Sequence, residues 1–308
     1  MKCRKCDRPA VFNMRRHKLA LCEVHYPEWF VTQTARAIDK YHMFTHDDRV
    51  LVAVSGGKDS LALWDVLLKL GYPAHGLYID LGIEGYSAAS REKVERFAAA
   101  RPGTEFTVVD VKAEYGESLP EVARRVRRGR SKPCSVCGLI KRHAMNRVTR
   151  EGAYDVLATG HNLDDEVAVL FGNVLHWQTG YIVRQAPVLP AHQDGLARKV
   201  KPFCRLYERE TAAYTLISGI DYIYDECPHA VGATSLRYKG VLNEMEQESP
   251  GTKLQFYQGF LRARKEGFFC EQVEEVVLHP CTRCGQATSA PGLCAFCRLW
   301  ERKPADET

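Results

Sequence analysis

From Val50 onward, short apolar runs alternate with longer segments whose apolar positions recur every three or four residues. Val50 to Val54, Ala74 to Ile79, Phe106 to Val111 and Tyr154 to Ala158 have strand length and strand composition. Leu61 to Leu70 and Ser87 to Ala100 carry helical spacing between them, and another helix follows Ala158 and runs to about Leu175. This alternation predicts an α/β fold: a parallel sheet with helices on both faces, binding ligands at the carboxyl ends of its strands. The segment from about Val200 to Gly267 reads as further helices that close over that end. The two ends of the chain are too short to bury a core of their own. The expected division is 1–28, 29–276 and 277–303, with a polar tail at 304–308.

Composition narrows the class. Hydrophobic residues make up 45% and charged residues 26% of the 308 residues, which excludes wholesale disorder. No run approaches the roughly 18 apolar residues that span a bilayer. The start Met1-Lys2-Cys3-Arg4-Lys5-Cys6 lacks the apolar stretch of a signal peptide, so a cytoplasmic protein without a membrane partner is expected. In that reducing compartment, twelve cysteines point to metal binding or redox chemistry rather than disulfides. Cys3, Cys6, Cys22 and His25 form one set with zinc-ribbon spacing, and Cys281, Cys284, Cys294 and Cys297 form the other. Each reads as a closed structural zinc site that supplies the folding energy its short segment lacks.

The net charge of +5 hides a local feature. Between Arg124 and Arg150 stand ten Lys or Arg and no Asp or Glu, which reads either as a nucleic-acid backbone track or as a solvated helix face. Residues 1–28 carry seven Lys or Arg against three Asp or Glu, with the same two readings.

The first strand runs directly into Ser55-Gly56-Gly57-Lys58-Asp59-Ser60. Glycines there permit a tight turn that aims N–H groups at an anion, and a helix N-capped by Asp59 or Ser60 adds its positive end. The string is neither the Walker loop nor the dinucleotide fingerprint. It resembles the SGGxDS loop of the ATP-pyrophosphatase ("PP-loop", adenine nucleotide alpha hydrolase-like) superfamily, whose members cleave ATP between the α and β phosphates. That resemblance implies that Ala53, Ser55, Gly56, Gly57, Asp59 and Ser60 cradle ATP and that Ile79 lines the adenine pocket. Lys58 occupies the variable position of the motif and reads as a solvent-facing charge or a phosphate contact. A second signature, Thr159-Gly160-His161-Asn162-Leu163-Asp164-Asp165-Glu166, places Gly160 and an acidic helix start beside the nucleotide. Asp165 is favoured as the Mg²⁺ ligand, with Asp164 as its neighbour and His161 as a positioned strand-end residue.

Cys134 and Cys137 have no second knuckle nearby, so a metal there needs a distant third thiol. Cys204 and Cys270 lie among phenylalanines and read as packing residues, whereas Cys227 sits in the loop-like Asp225-Glu226-Cys227-Pro228-His229 and is the choice. Taken with both ribbons, these motifs resemble the TtcA/TtuA family of tRNA 2-thiolation enzymes, in particular its TtuA type. The resemblance implies a [4Fe-4S] cluster on Cys134, Cys137 and Cys227 with one open iron, and ATP-handling roles for Lys141 and Asp165. It further implies a tRNA substrate, a ubiquitin-like thiocarboxylate sulfur donor and a homodimer. The rival readings are a cluster-free thiolase working through a cysteine persulfide, a PP-loop amidotransferase or synthetase for a small substrate, and a zinc-ribbon nucleic-acid binder with structural ATP.

Overall fold

The computed structural model describes residues 1–126, 133–191, 196–230, 234–269 and 277–301. The chain opens with a hairpin, β1 (Phe12–Met14) antiparallel to β2 (Leu19–Leu21), followed by α1 (His25–Lys40). Then come β3 (Val50–Val54), α2 (Lys58–Lys69), β4 (Ala74–Asp80), α3 (Tyr86–Ala99), β5 (Phe106–Asp110), α4 (Val111–Tyr115) and α5 (Leu119–Arg125). A long helix, α6 (Pro133–Glu151), precedes β6 (Val156–Thr159), α7 (Leu163–Leu175), α8 (Thr179–Val183), β7 (Val188–Leu189) and β8 (Lys199–Val200). Three helices follow, α9 (Glu208–Ile217), α10 (Thr234–Glu248) and α11 (Thr252–Lys265), and a second hairpin, β9 (His279–Pro280) with β10 (Ala287–Thr288), comes last.

The central sheet has the order β5-β4-β3-β6-β8-β7, parallel except for β7 at its edge. Strand periodicity sorts its side chains. Val50, Val52 and Val54 of β3, with Val156 and Ala158 of β6, join a large core built with α1, α2, α3, α7 and α9. Leu51, Leu77, Val109 and Leu157 point the other way, onto Ala144, Met145 and Val148 of α6. Both faces are therefore covered, which is why these strands are apolar throughout rather than alternating.

Three of the differences from the expected element ends have a visible cause. Val111 begins α4 instead of closing β5, because the Asp110 side chain accepts the Ala113 N–H and caps a helix there. β6 starts at Val156 rather than Tyr154; the positive φ of Ala153, at 49°, marks the turn just before it. Neither Asp59 nor Ser60 caps α2: the cap is Gly57, and both polar residues lie inside the first turn.

Candidate active site

At the end of β3 the chain turns through Gly56, whose φ is +74° and whose Cβ, if present, would stand 2.3 Å from the Ser90 carbonyl oxygen. Only glycine fits. The Ser60 hydroxyl accepts the Ser55 N–H at 3.0 Å and donates to the Gly57 carbonyl at 3.0 Å, so it braces the loop instead of capping the helix. From outside, the Ile223 N–H donates to the Gly56 carbonyl at 2.9 Å, tying the loop to the segment that leads to Cys227.

The second signature meets the first at Gly160, where a Cβ would lie 2.8 Å from the Asp59 carbonyl. Asn162 then caps α7 in a reciprocal box with Asp165, each backbone N–H donating to the other side chain at 3.1 Å. Its amide nitrogen also donates to Asp59 Oδ1 at 3.1 Å. Ser55, Gly57, Asp59, Ser60, Gly160, His161 and Asp165 consequently line one cavity of about 220 Å³. Ala53 packs within the sheet, and Ile79, near the end of β4, joins the apolar cluster next to the cysteines; neither lines that cavity.

Two lysines border the cavity. Lys58 is half-buried, with Nζ 3.0 Å from Asp59 Oδ2 and 2.7 Å from Glu208 Oε1, so it is not a free solvent-facing charge. Lys239 of α10 mirrors it, 3.0 Å from Glu208 Oε2 and 2.6 Å from Asp165 Oδ1. Burial works against the Glu208 anion, but the two ammonium groups hold its carboxyl down at about 2. Burial pushes the Asp59 carboxyl up, with Lys58 opposing. Asp164 turns away into the protein, where Lys253 and the Glu208 N–H, at 2.8 Å, satisfy it. The adjacent acids thus divide: Asp164 is structural and Asp165 faces the cavity. A larger cavity of about 430 Å³ lies behind the Lys58–Glu208 pair, against Arg15 and Arg16 of the N-terminal segment.

Cys134 and Cys137 stand one turn apart at the start of α6. The Cys134 thiol donates to the His229 carbonyl at 3.2 Å, and the Cys227 carbonyl accepts the Ala230 N–H at 2.8 Å in the same loop. Cys137 and Cys227 pack on one apolar cluster with Ile79 and Tyr86. Burial raises the Cys137 thiol, and Lys141, one turn further along α6, pulls against it. Among the described residues, only the two terminal quartets bring three or more ligand atoms within 4.8 Å of one another. The quartets therefore fit single metal ions. The three central thiols do not converge that closely, but Cys137 feels the charge of both Cys134 and Cys227, which makes the three near neighbours. Cys204 is fully buried in the main core with its thiol pushed up by burial, and Cys270 lies outside the described residues.

Part of the basic stripe is already paired. Arg125 bridges to Glu117 and Arg147 to Glu114, acids that precede the stripe in sequence. Residues 127–132, with Arg127, Arg128, Arg130 and Lys132, lie outside the described residues, as does the polar tail. No described helix is long and apolar enough to cross a membrane.

The strand order, the turn after β3 and its cavity are those of a PP-loop protein, and the PP-loop domain family matches residues 30–230. The N-terminal LIM domain of 2-thiouridine synthetase TtuA matches residues 2–27. A tRNA-5-methyluridine(54) 2-sulfurtransferase of Thermus thermophilus is 52% identical, over 98% of this chain and 91% of its own. Its namesake in Pyrococcus horikoshii is 43% identical, over 98% and 94%. Among solved structures, the U34-tRNA thiolase NcsA of Methanococcus maripaludis, described with its [4Fe-4S] cluster, superposes with a TM-score of 0.78 at 24% identity over 97% of this chain and 95% of its own. The chain belongs to the TtcA/TtuA family of PP-loop tRNA 2-thiolation enzymes, in its TtuA type.

Proposed function

We propose that the protein thiolates a uridine of tRNA at C2 in two ATP-dependent steps. The observation that carries this reading is the direct tie between the two halves of the site: the Ile223 N–H bonded to Gly56 joins the nucleotide loop to the segment bearing Cys227. The uridine C2 oxygen attacks the α phosphorus, the bond to the β phosphate breaks, and pyrophosphate leaves. Sulfide then adds at C2, the C2–O bond breaks, and AMP departs with the oxygen. Ser55, Gly57, Asp59 and the turn braced by Ser60 orient the phosphates, Asp165 would hold Mg²⁺, and Lys141 offsets charge at the reacting phosphate. Cys134, Cys137 and Cys227 would hold a [4Fe-4S] cluster, which would supply the sulfur. The [4Fe-4S] cluster described for NcsA supports that cofactor over a persulfide.

In this reading the units are a ribbon at 1–28, the catalytic domain at 29–276, a second ribbon at 277–303 and the tail at 304–308, with zinc in both ribbons. The resemblance adds a cytoplasmic homodimer served by a ubiquitin-like thiocarboxylate donor, and the relatives' names favour methyluridine 54 as the target. The test is anaerobic purification followed by iron, sulfide and zinc analysis. About four iron and four sulfide with about two zinc are expected, and Cys227→Ala should lose the iron while keeping the zinc. Zinc alone after cluster reconstitution would transfer the chemistry to a cysteine persulfide.

A further inference from the structure

The two carboxylates facing the nucleotide cavity are engaged in the same way, with one partner on each oxygen. Asp165 accepts the Asn162 backbone N–H on Oδ2 and Lys239 on Oδ1; Asp59 accepts the Asn162 side-chain amide on Oδ1 and Lys58 on Oδ2. One oxygen of each is committed to the Asn162 hinge between the loops, and the other is covered by an ammonium group. On each carboxylate a lysine covers the oxygen that the Asn162 contacts leave, so a divalent ion and that lysine compete for it. The displaced ammonium has a second anchor, because Lys58 and Lys239 both keep a Glu208 oxygen, at 2.7 and 3.0 Å. Glu208 is fixed in turn, its backbone N–H held by Asp164 at 2.8 Å. Lys239 is also seated from behind: Tyr238 beside it lies over Gly172 of α7 and edge-on to Phe171, which holds α10 to the helix that begins at the cavity.

We propose that Lys239 stands in for the metal at Asp165 in the nucleotide-free enzyme and moves onto the pyrophosphate moiety when MgATP enters. The inference rests on the reading of the cavity as the MgATP site. It gives Lys239 two opposed effects: it competes with a divalent ion for Asp165, and it attracts the phosphates that bring that ion in. Glu208 is the positioning residue, holding Lys58 and Lys239 on one side so that each exchanges only its other partner. Such exchange keeps free Mg²⁺ out of an empty site and releases a cation toward the leaving group as the metal docks.

The opposed signs make the test. Lys239→Met should weaken MgATP and magnesium pyrophosphate binding by about tenfold or more in titration calorimetry. The same variant should bind the manganous ion alone, read by paramagnetic resonance without nucleotide, several-fold more tightly than the unchanged protein. Lys239→Arg should keep the original order of both affinities, because it restores the cation. A purely structural lysine would weaken both ligands together, so loss of manganous binding in Lys239→Met, or no change in it, overturns the inference. Unchanged MgATP affinity overturns it as well. If the unchanged protein itself binds no MgATP, the functional reading fails instead, and the two failures are separated by that control.

Discussion

Lys253 and Asp164 illustrate what a single pair of residues does beneath the site. Their side chains are 2% and 6% exposed, and Lys253 also donates to the side-chain amide oxygen of Asn243. Burying both charges is costly, and breaking the pair costs more than the pair contributes, because one charge is left stranded. Lys253→Met is therefore expected to destabilise the protein by about 3–5 kcal/mol. Denaturant unfolding at neutral pH measures this, and a midpoint within experimental error of the parent would show that Asp164 finds another partner. This pair also marks the limit of sequence reading at the residue scale. The motif strings place Ser55, Gly57, Asp59, Ser60, Gly160 and Asp165, and these residues do line one cavity. Glu208, Lys239 and Lys253 carry no local signal, because they arrive from helices joined to the motifs only in three dimensions. Asn162 does carry one: an asparagine three residues before an acid is the mark of a capping box. Propensity favours Asp59 or Ser60 as the cap of α2, but it does not show that Ser60 is already spent on the loop backbone.

The helix that presents Cys134 and Cys137 owes its position partly to the C-terminal ribbon. His143 of α6 stacks on Phe296 with ring centroids 3.6 Å apart and 7° between planes, and Gln286 donates to the His143 carbonyl at 3.0 Å. Tyr115 of α4 stacks on Trp300 at 4.9 Å, and Arg125 of α5 donates to the Leu299 carbonyl at 2.8 Å. On the proposed reading of the Cys281–Cys284–Cys294–Cys297 quartet as a metal site, a segment this short keeps its shape through that metal, and losing it would remove the contacts that the segment makes with α6. In Cys281→Ser, hydrogen exchange should rise first across Pro133–Glu151 while the β3–β6 strands stay protected. Equal protection of α6 in mutant and parent would show that the sheet alone holds it. The strands, the main helices and the ribbons as separate pieces are legible in the sequence. The docking of the second ribbon onto α6 is not, since aromatic stacking between distant segments leaves no periodic trace.

Across the whole molecule, the basic stripe is the feature that structure changes most. Arg125 and Arg147 are engaged by Glu117 and Glu114, whereas Arg124 has no acid partner among the described residues, and the remaining arginines of the stripe's first half lie in sequence at 127–132. Substituting Arg124, Arg127 and Arg128 together by Gln should flatten the log–log dependence of tRNA affinity on salt by about 0.7–0.9 for each phosphate no longer neutralised. Arg147→Gln should leave the slope nearly unchanged. Filter binding across a salt series measures both, and equal slopes in all variants would assign the stripe to a solvated face.

The order of the sheet has a temporal side. β3, made early, sits between β4 and β6, so one of its edges finds a partner soon after synthesis while the other waits for residues Val156–Thr159. A chain growing from its N-terminus therefore passes through a stage with an open strand edge at its centre and half a nucleotide cradle. The cradle closes when Gly160 meets Asp59, and its last cation arrives only with α10. On the ribosome, the proposed ATP site is therefore completed only once α10 has emerged, after the central sheet that supports it.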